Sequence, residues 1–273
     1  MELHIQKTND TIVVVLKMQR KEGAAMAMFY TKGSIRDFEI CDTAAAFPFL
    51  KESGHVVSLV GAGGKSSLLY ELARYSAANG LNTLVTTTTH IFRPDDAVYA
   101  DDMQKVNHLW DSGSYAVIGT PNPNGKLSMP PGAMLQCLMN KADLVLIEAD
   151  GSKRMPVKVP EKNEPVILPE CDIVIGVLGL SALHHPLKDV CFRLEKATDF
   201  LNVDAKMPFT EVQAAQILSS ELGTRKNVGQ RFYMTVLNQC DNQERMRQGA
   251  CILELLSQKE IPGVMSCFKE GSV

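Results

Sequence analysis

Residues 55–78, HVVSLVGAGGKSSLLYELARYSAA, constrain the fold of this chain more than any other stretch. Val56, Val57, Leu59 and Val60 form a short apolar run closed by glycine, the pattern of a buried parallel strand. Gly61, Ala62, Gly63 and Gly64 then turn the chain, and from Lys65 onward Leu68, Leu69, Leu72 and Tyr75 fall on one helical face. A helix start leaves backbone N–H groups unpaired and carries the positive end of the macrodipole, and a glycine turn lets phosphate oxygens approach those donors. Lys65 is expected to bring a cation to the outer phosphates. Ser66, with Ser67 beside it, is expected to offer a hydroxyl to Mg²⁺.

The common phosphate loop, GxxxxGK[ST], would need a glycine where Leu59 stands. The loop here is the shorter GxxGK[ST] beginning at Gly61, which resembles that of the Mur-ligase and folylpolyglutamate-synthase group of ATP-binding folds. The alternative is a glycine turn with a surface lysine, but two hydroxyls, a lysine and glycine meet here between a strand and a helix.

Other strand ends converge on the same place if the sheet is parallel, because ligands in such sheets sit beyond the carboxyl ends of the strands. The apolar run 81–86 leads into TTTTH, so Thr88, Thr89 and His90 are candidates for phosphate or Mg²⁺ contact, although threonine is also an ordinary strand former. DLVLIEADG, residues 143–151, is a buried strand that delivers Glu148 and Asp150. Asp150 is expected to hold Mg²⁺ with Ser66. Glu148 is expected to position the attacking water or share the metal. Lys153 and Arg154 follow, either as phosphate or substrate contacts or as a solvated basic loop.

Residues 120–132 are rich in turn formers around KLSM and read as a hairpin or flap. Four prolines make 155–169 extended, with Lys158, Glu161 and Glu164 in it. Residues 173–178, 231–237 and 261–267 read as further strands, and Thr210 as the cap of a helix. SIRDFEICDTAAAFPFLKESG, from Ser34, reads as helix then loop. Residues 1–35 read as an extension, either an edge hairpin or a segment upstream of the main domain at 36–273. The adjacent His184 and His185 are poorly disposed to share one metal ion.

A net charge of −3 gives no reason to expect nucleic-acid or anionic-membrane binding, and no apolar run is long enough to span a bilayer. With no secretory signal and seven scattered cysteines without a CxxC, the chain is expected to be cytoplasmic with reduced thiols.

The strand before Asn238-Gln239-Cys240-Asp241 ends in a sequence similar to the NKxD element of guanine-nucleotide-binding proteins, with Gln239 in place of lysine. Asn238 and Asp241 would then read guanine; the alternative is a plain Asn/Asp turn. Taken together, VVSLVGAGGKSSLL, VTTTTHIF, LVLIEADGSKRMPVKVPEKNEPVI, IVIGVLGLSALHHPL and LNQCD resemble the YqeC family of selenium-dependent hydroxylase accessory proteins over about residues 50–265. The resemblance implies a nucleotide-binding protein that assists maturation of selenium-dependent molybdenum hydroxylases, with the hydroxylase or its selenium and molybdopterin maturation proteins as partners. The expected fold is α/β, a P-loop NTPase-like, doubly wound, mainly parallel sheet with helices on both faces. The expected ligand is ATP or GTP with Mg²⁺. The rival functions are an ATP-dependent ligase or kinase for a small acid, and a nucleotide-switched cofactor carrier or chaperone without turnover.

Overall fold

The structure, a computed structural model, describes residues 13–17, 27–34, 37–40, 42–94 and 97–268. The chain opens with β1 (Val13–Lys17), β2 (Ala27–Ser34), β3 (Asp37–Ile40), α1 (Thr43–Ala46), β4 (His55–Gly61), α2 (Lys65–Ala78) and β5 (Thr83–Thr87). It continues through β6 (His90–Phe92), β7 (Tyr99–Ala100), α3 (Met103–Asp111), β8 (Ala116–Ile118), β9 (Thr120–Pro121), β10 (Lys126–Ser128), α4 (Gly132–Met139) and β11 (Leu144–Glu148). It closes with β12 (Val157–Lys158), β13 (Ile173–Gly179), α5 (Leu187–Val190), β14 (Cys191–Phe192), α6 (Leu194–Leu201), α7 (Glu211–Ser219), β15 (Phe232–Asn238), α8 (Gln243–Ser257) and β16 (Gly263–Phe268).

The central sheet runs β16-β15-β13-β4-β11-β5-β8-β7, and every neighbouring pair in that order is parallel. Its middle strands are buried throughout or nearly so, which is why their sequences are unbroken apolar runs instead of alternating ones. Successive residues serve opposite faces. Leu59, Ile175 and Val177 pack with Leu68, Leu69 and Leu72 of α2, while Val60, Val174 and Leu178 pack with Ile217 of α7 and Ile252 of α8. Val145 and Ile147 of β11 meet Val106 of α3 and Leu135 of α4. The result is an α/β sheet flanked by helices on both faces, consistent with a P-loop NTPase-like fold.

Helix α2 has no β-branched residue and is built mainly of good helix formers. Its three fully buried leucines contribute about 1.5–3 kcal/mol each by leaving water. Thr210 caps α7 as expected, in a reciprocal box with Gln213. Among the described residues, no helix is long and apolar enough to cross a membrane.

The N-terminal strands join this sheet at its β16 edge, where β2 pairs antiparallel with β16 and with both β1 and β3. Of residues 1–35, those described form β1 and β2, paired antiparallel, and the sheet continues through β3 past residue 35. The helix expected from Ser34 is corrected: residues 37–40 are a strand, held by pairing to β2, and the helical part is Thr43–Ala46, capped by Asp42, followed by a 3-10 turn at Pro48–Lys51. The flap is a three-stranded antiparallel sheet, β6-β10-β9, lying apart from the main one.

Candidate functional site

Strand β4 and helix α2 are joined by Gly61–Gly64, and the loop admits almost nothing larger than glycine. Gly63 and Gly64 have φ of 80° and 109°, and a Cβ on them would lie 2.1 Å from Gly179 N and 2.0 Å from Asn238 Nδ2. Neighbours hold the loop from below: Ala62 N–H donates to Val177 O at 3.0 Å, Gly63 N–H to Met155 O at 3.2 Å, and Asn238 Nδ2 to Gly63 O at 2.9 Å. The first bond into α2 is Leu68 N–H to Gly64 O. Among the described residues, the N–H groups of Gly64, Lys65, Ser66 and Ser67 have no intramolecular acceptor. Those donors, at the positive end of a 14-residue helix, are the requirement for a bound phosphate.

Lys65 is folded beneath the loop, only 3% exposed, with Nζ donating to Gly61 O at 2.6 Å and lying 3.1 Å from Asp150 Oδ1. Burial would lower its ammonium, but Asp150 and Glu148 outweigh that and hold it above its ordinary value. The other oxygen of Asp150 accepts from Gly61 N–H at 3.0 Å and meets Lys158 Nζ at 2.9 Å. Lys158, 2% exposed, also donates to Gly151 O at 2.8 Å and to Glu164 at 2.7 Å. Glu164 in turn binds both ends of the Arg193 guanidinium. An alternating chain, Lys65–Asp150–Lys158–Glu164–Arg193, therefore runs from under the glycine loop to a wall of the adjoining cavity.

Ser66 Oγ donates to Glu148 Oε2 at 2.8 Å, so the loop hydroxyl and the acid of β11 meet at the cavity. Parallel register produces this, since Leu59 of β4 stands opposite Glu148 of β11. Burial pushes the Glu148 carboxyl up, opposed by Lys65 and by the Ser66 hydroxyl. A serine hydroxyl beside a carboxylate is a hard-oxygen donor set that fits Mg²⁺. Asp150, by contrast, is engaged beneath the loop by two lysines and the Gly61 N–H.

The cavity has a volume of about 850 Å³ and is lined by Gly63–Ser67, Glu148, Thr89, His90, Lys153 and Arg154 among others. Thr88 instead donates to Val166 O, tying the strand end to the proline-rich segment. His90 Nδ1 lies 3.1 Å from Ser128 Oγ of the flap. Asn238 is spent on the loop: Nδ2 holds Gly63 O, and Oδ1 accepts from Gln239 N–H and Ser266 Oγ. Asp241 lies outside the cavity lining, bound by Arg245 and by the Cys267 thiol, whereas Gln239 does line it. His184 pairs with Glu211 at 3.0 Å.

Lys158, Glu164 and Arg193 were given no chemical role by the sequence reading. The one available signal was Lys158 between Val157 and Val159 in a segment of prolines, an odd place for a solvated lysine. Against the burial that would raise it, hydrogen bonds from Arg193 and Lys158 hold the Glu164 carboxyl down to about 2. Its stabilising contribution is therefore fully present above the ordinary value of 4.5 and is lost as pH falls from there through about 2. Chemical unfolding followed across that window should show the loss, and Glu164→Gln should flatten it. A variant with the same acid profile as wild type would contradict the assignment.

A family profile described as "YqeC protein" matches residues 57–195. An Escherichia coli (strain K12) protein called "Uncharacterized protein YqeC" is 29% identical over 223 residues, covering 77% of this chain and 85% of that one.

Proposed function

This chain belongs to the YqeC family, and from that premise we propose that it is a Mg²⁺-dependent nucleotide-binding protein that hydrolyses a nucleoside triphosphate while assisting maturation of selenium-dependent molybdenum hydroxylases. The observation that carries the nucleotide reading is the juxtaposition of unpaired N–H groups from Gly64 to Ser67 with Lys65 and the Ser66–Glu148 pair at one cavity. The accessory role rests on family resemblance.

In this reading the loop N–H groups bind the inner phosphates, and Lys65 leaves Gly61 O to meet the outer ones. Ser66 and Glu148 hold Mg²⁺, whose charge would neutralise the phosphate oxygens during transfer. Asp150 and Lys158 keep the loop in shape. Thr89 and His90, on the cavity wall, orient the attacking oxygen. Because Asp241 is engaged by Arg245 and lies off the cavity, ATP is favoured over GTP.

Thermal unfolding with Mg²⁺ and ATP, GTP or CTP tests this, since a ligand of the native state stabilises by about 2.7 kcal/mol at a hundred times its Kd. ATP should raise the melting temperature most. A rise with GTP alone would restore Asn238 and Asp241 as base readers. No rise with any nucleotide would end the reading.

The cations on the cavity wall favour a second reading, group transfer to a small acid as in a kinase or ligase. It predicts ADP release only when the acceptor is added. A nucleotide-switched carrier predicts tight binding with negligible turnover.

A further inference from the structure

We propose that the cavity holds a second ligand beside the nucleotide, a small polyanion bearing carboxylate or phosphate groups, on a platform of Phe92, Lys126, Lys153, Arg154, Phe192 and Arg193. The proposal rests on the nucleotide reading for the placement of the first ligand.

Two aromatic rings on the cavity wall each carry two cations. The Phe92 ring has Lys126 Nζ at 4.7 Å and the Arg154 guanidinium at 4.8 Å from its centre, and the Phe192 ring has Lys153 Nζ at 5.2 Å and Arg193 at 4.8 Å. All six residues line the one cavity. Among the described residues, Lys126, Lys153 and Arg154 have no carboxylate partner, in contrast to Lys65, Lys158 and Arg193. A cation seated on a ring has one face desolvated and its N–H groups directed elsewhere, so the rings hold these charges ready for an anion. Phe92 is 48% exposed, a cost to an unliganded surface that is offset if the ring supports a binding group.

The backbone points the same way. Lys153 and Arg154 are consecutive non-glycine residues at φ of 49° and 64°, in the left-handed region that side-chain-bearing residues avoid. Four residues separate that conformation from the end of β11, and both residues line the cavity. Opposite them, Lys126 of β10 is paired in register with Phe92 of β6, so the flap supplies the other half of the platform.

Three free cations exceed what the nucleotide needs. Its inner phosphates have the loop N–H groups, its outer ones Lys65 and the metal pair. Lys126 lines the same cavity as Ser66 and Glu148, so the platform and the metal pair share one chamber, in which an acceptor would meet the outermost phosphate.

The full-length protein is saturated with Mg²⁺ and ADP and titrated calorimetrically with two probes, tricarballylate for carboxylates and phenyl phosphate for phosphates. One should bind with 1:1 stoichiometry, and the tighter probe identifies the head group. Lys126→Ala and Phe92→Ala should weaken it by about tenfold or more while changing ADP affinity by less than about twofold. Competition of both probes with ADP, binding of neither, or equal weakening of probe and ADP would overturn the proposal. If wild type fails to bind ADP, the nucleotide reading falls separately. The probes are then titrated into the protein alone: binding lost in Lys126→Ala and kept in Lys65→Ala sustains the platform, and any other pattern overturns it.

Discussion

Replacing Asp150 with alanine is expected to destabilise the protein by about 3–5 kcal/mol, the cost of leaving buried charge without its partner. The network Lys65–Asp150–Lys158–Glu164–Arg193 alternates sign, three cations with two anions. Without Asp150, three cations share Glu164, and Lys65 keeps only Gly61 O and the nearby Glu148. The Gly61 N–H also loses its acceptor in a buried place. Urea unfolding should register the loss as a lower midpoint with an unchanged slope. A variant within about 1 kcal/mol of wild type would mean that the pairs are not formed as described. Adding Lys158→Met to the variant should recover part of the loss, because the two residues are coupled and their effects do not add.

Lys65→Ala is expected to behave differently, weakening nucleotide binding by roughly a hundredfold with a smaller effect on stability. Removing that lysine leaves two cations facing two anions; Asp150 Oδ2 retains Lys158 and the Gly61 N–H, while its buried Oδ1 loses Lys65 at a cost of about 1–3 kcal/mol. The fold has little reason to fail, and the circular dichroism spectrum should be unchanged. A phosphate, however, loses its only loop cation, and a charge-assisted contact of about 3 kcal/mol corresponds to roughly a hundredfold in affinity. Equal affinity for Mg²⁺·ATP in mutant and wild type, measured by calorimetry, would sink the phosphate-loop reading. Together the two variants separate what the network does for the fold from what its first member does for the ligand.

The glycine loop between strand and helix was legible because its causes are local. Glycine is required where φ is positive and neighbours crowd the backbone, the helix must follow at once, and the apolar run before it can only be a buried strand. The acidic strand was legible for a related reason. Once β4 and β11 are adjacent and in parallel register, Glu148 arrives beside Ser66 without further instruction. The segment after Ser34 was misread because its strand is held by hairpin pairing with β2 just before it, and the boundary drawn at residue 35 separated the two partners.

The division of labour between the two acids was beyond the sequence. EADG reads with Asp150 holding the metal beside Ser66 and Glu148 positioning water or sharing it, two residues apart, whereas it is Glu148 that accepts from Ser66 Oγ. Which one faces Ser66 depends on Lys158 folding back from a proline-rich segment, on Glu164 joining it, and on Arg193 closing the chain from β14's far side. Likewise Asn238, expected with Asp241 to read a base, braces the loop through Gly63 O, a contact set by the packing of β15 against it. The sequence by itself determined the parallel sheet, the glycine loop and the helix behind it, since these follow from chain-local sterics and the burial of apolar runs. Only the tertiary structure decided which charges are buried against which, because an ion pair's partner is set by proximity in space and its sign of effect by the water that surrounding elements exclude.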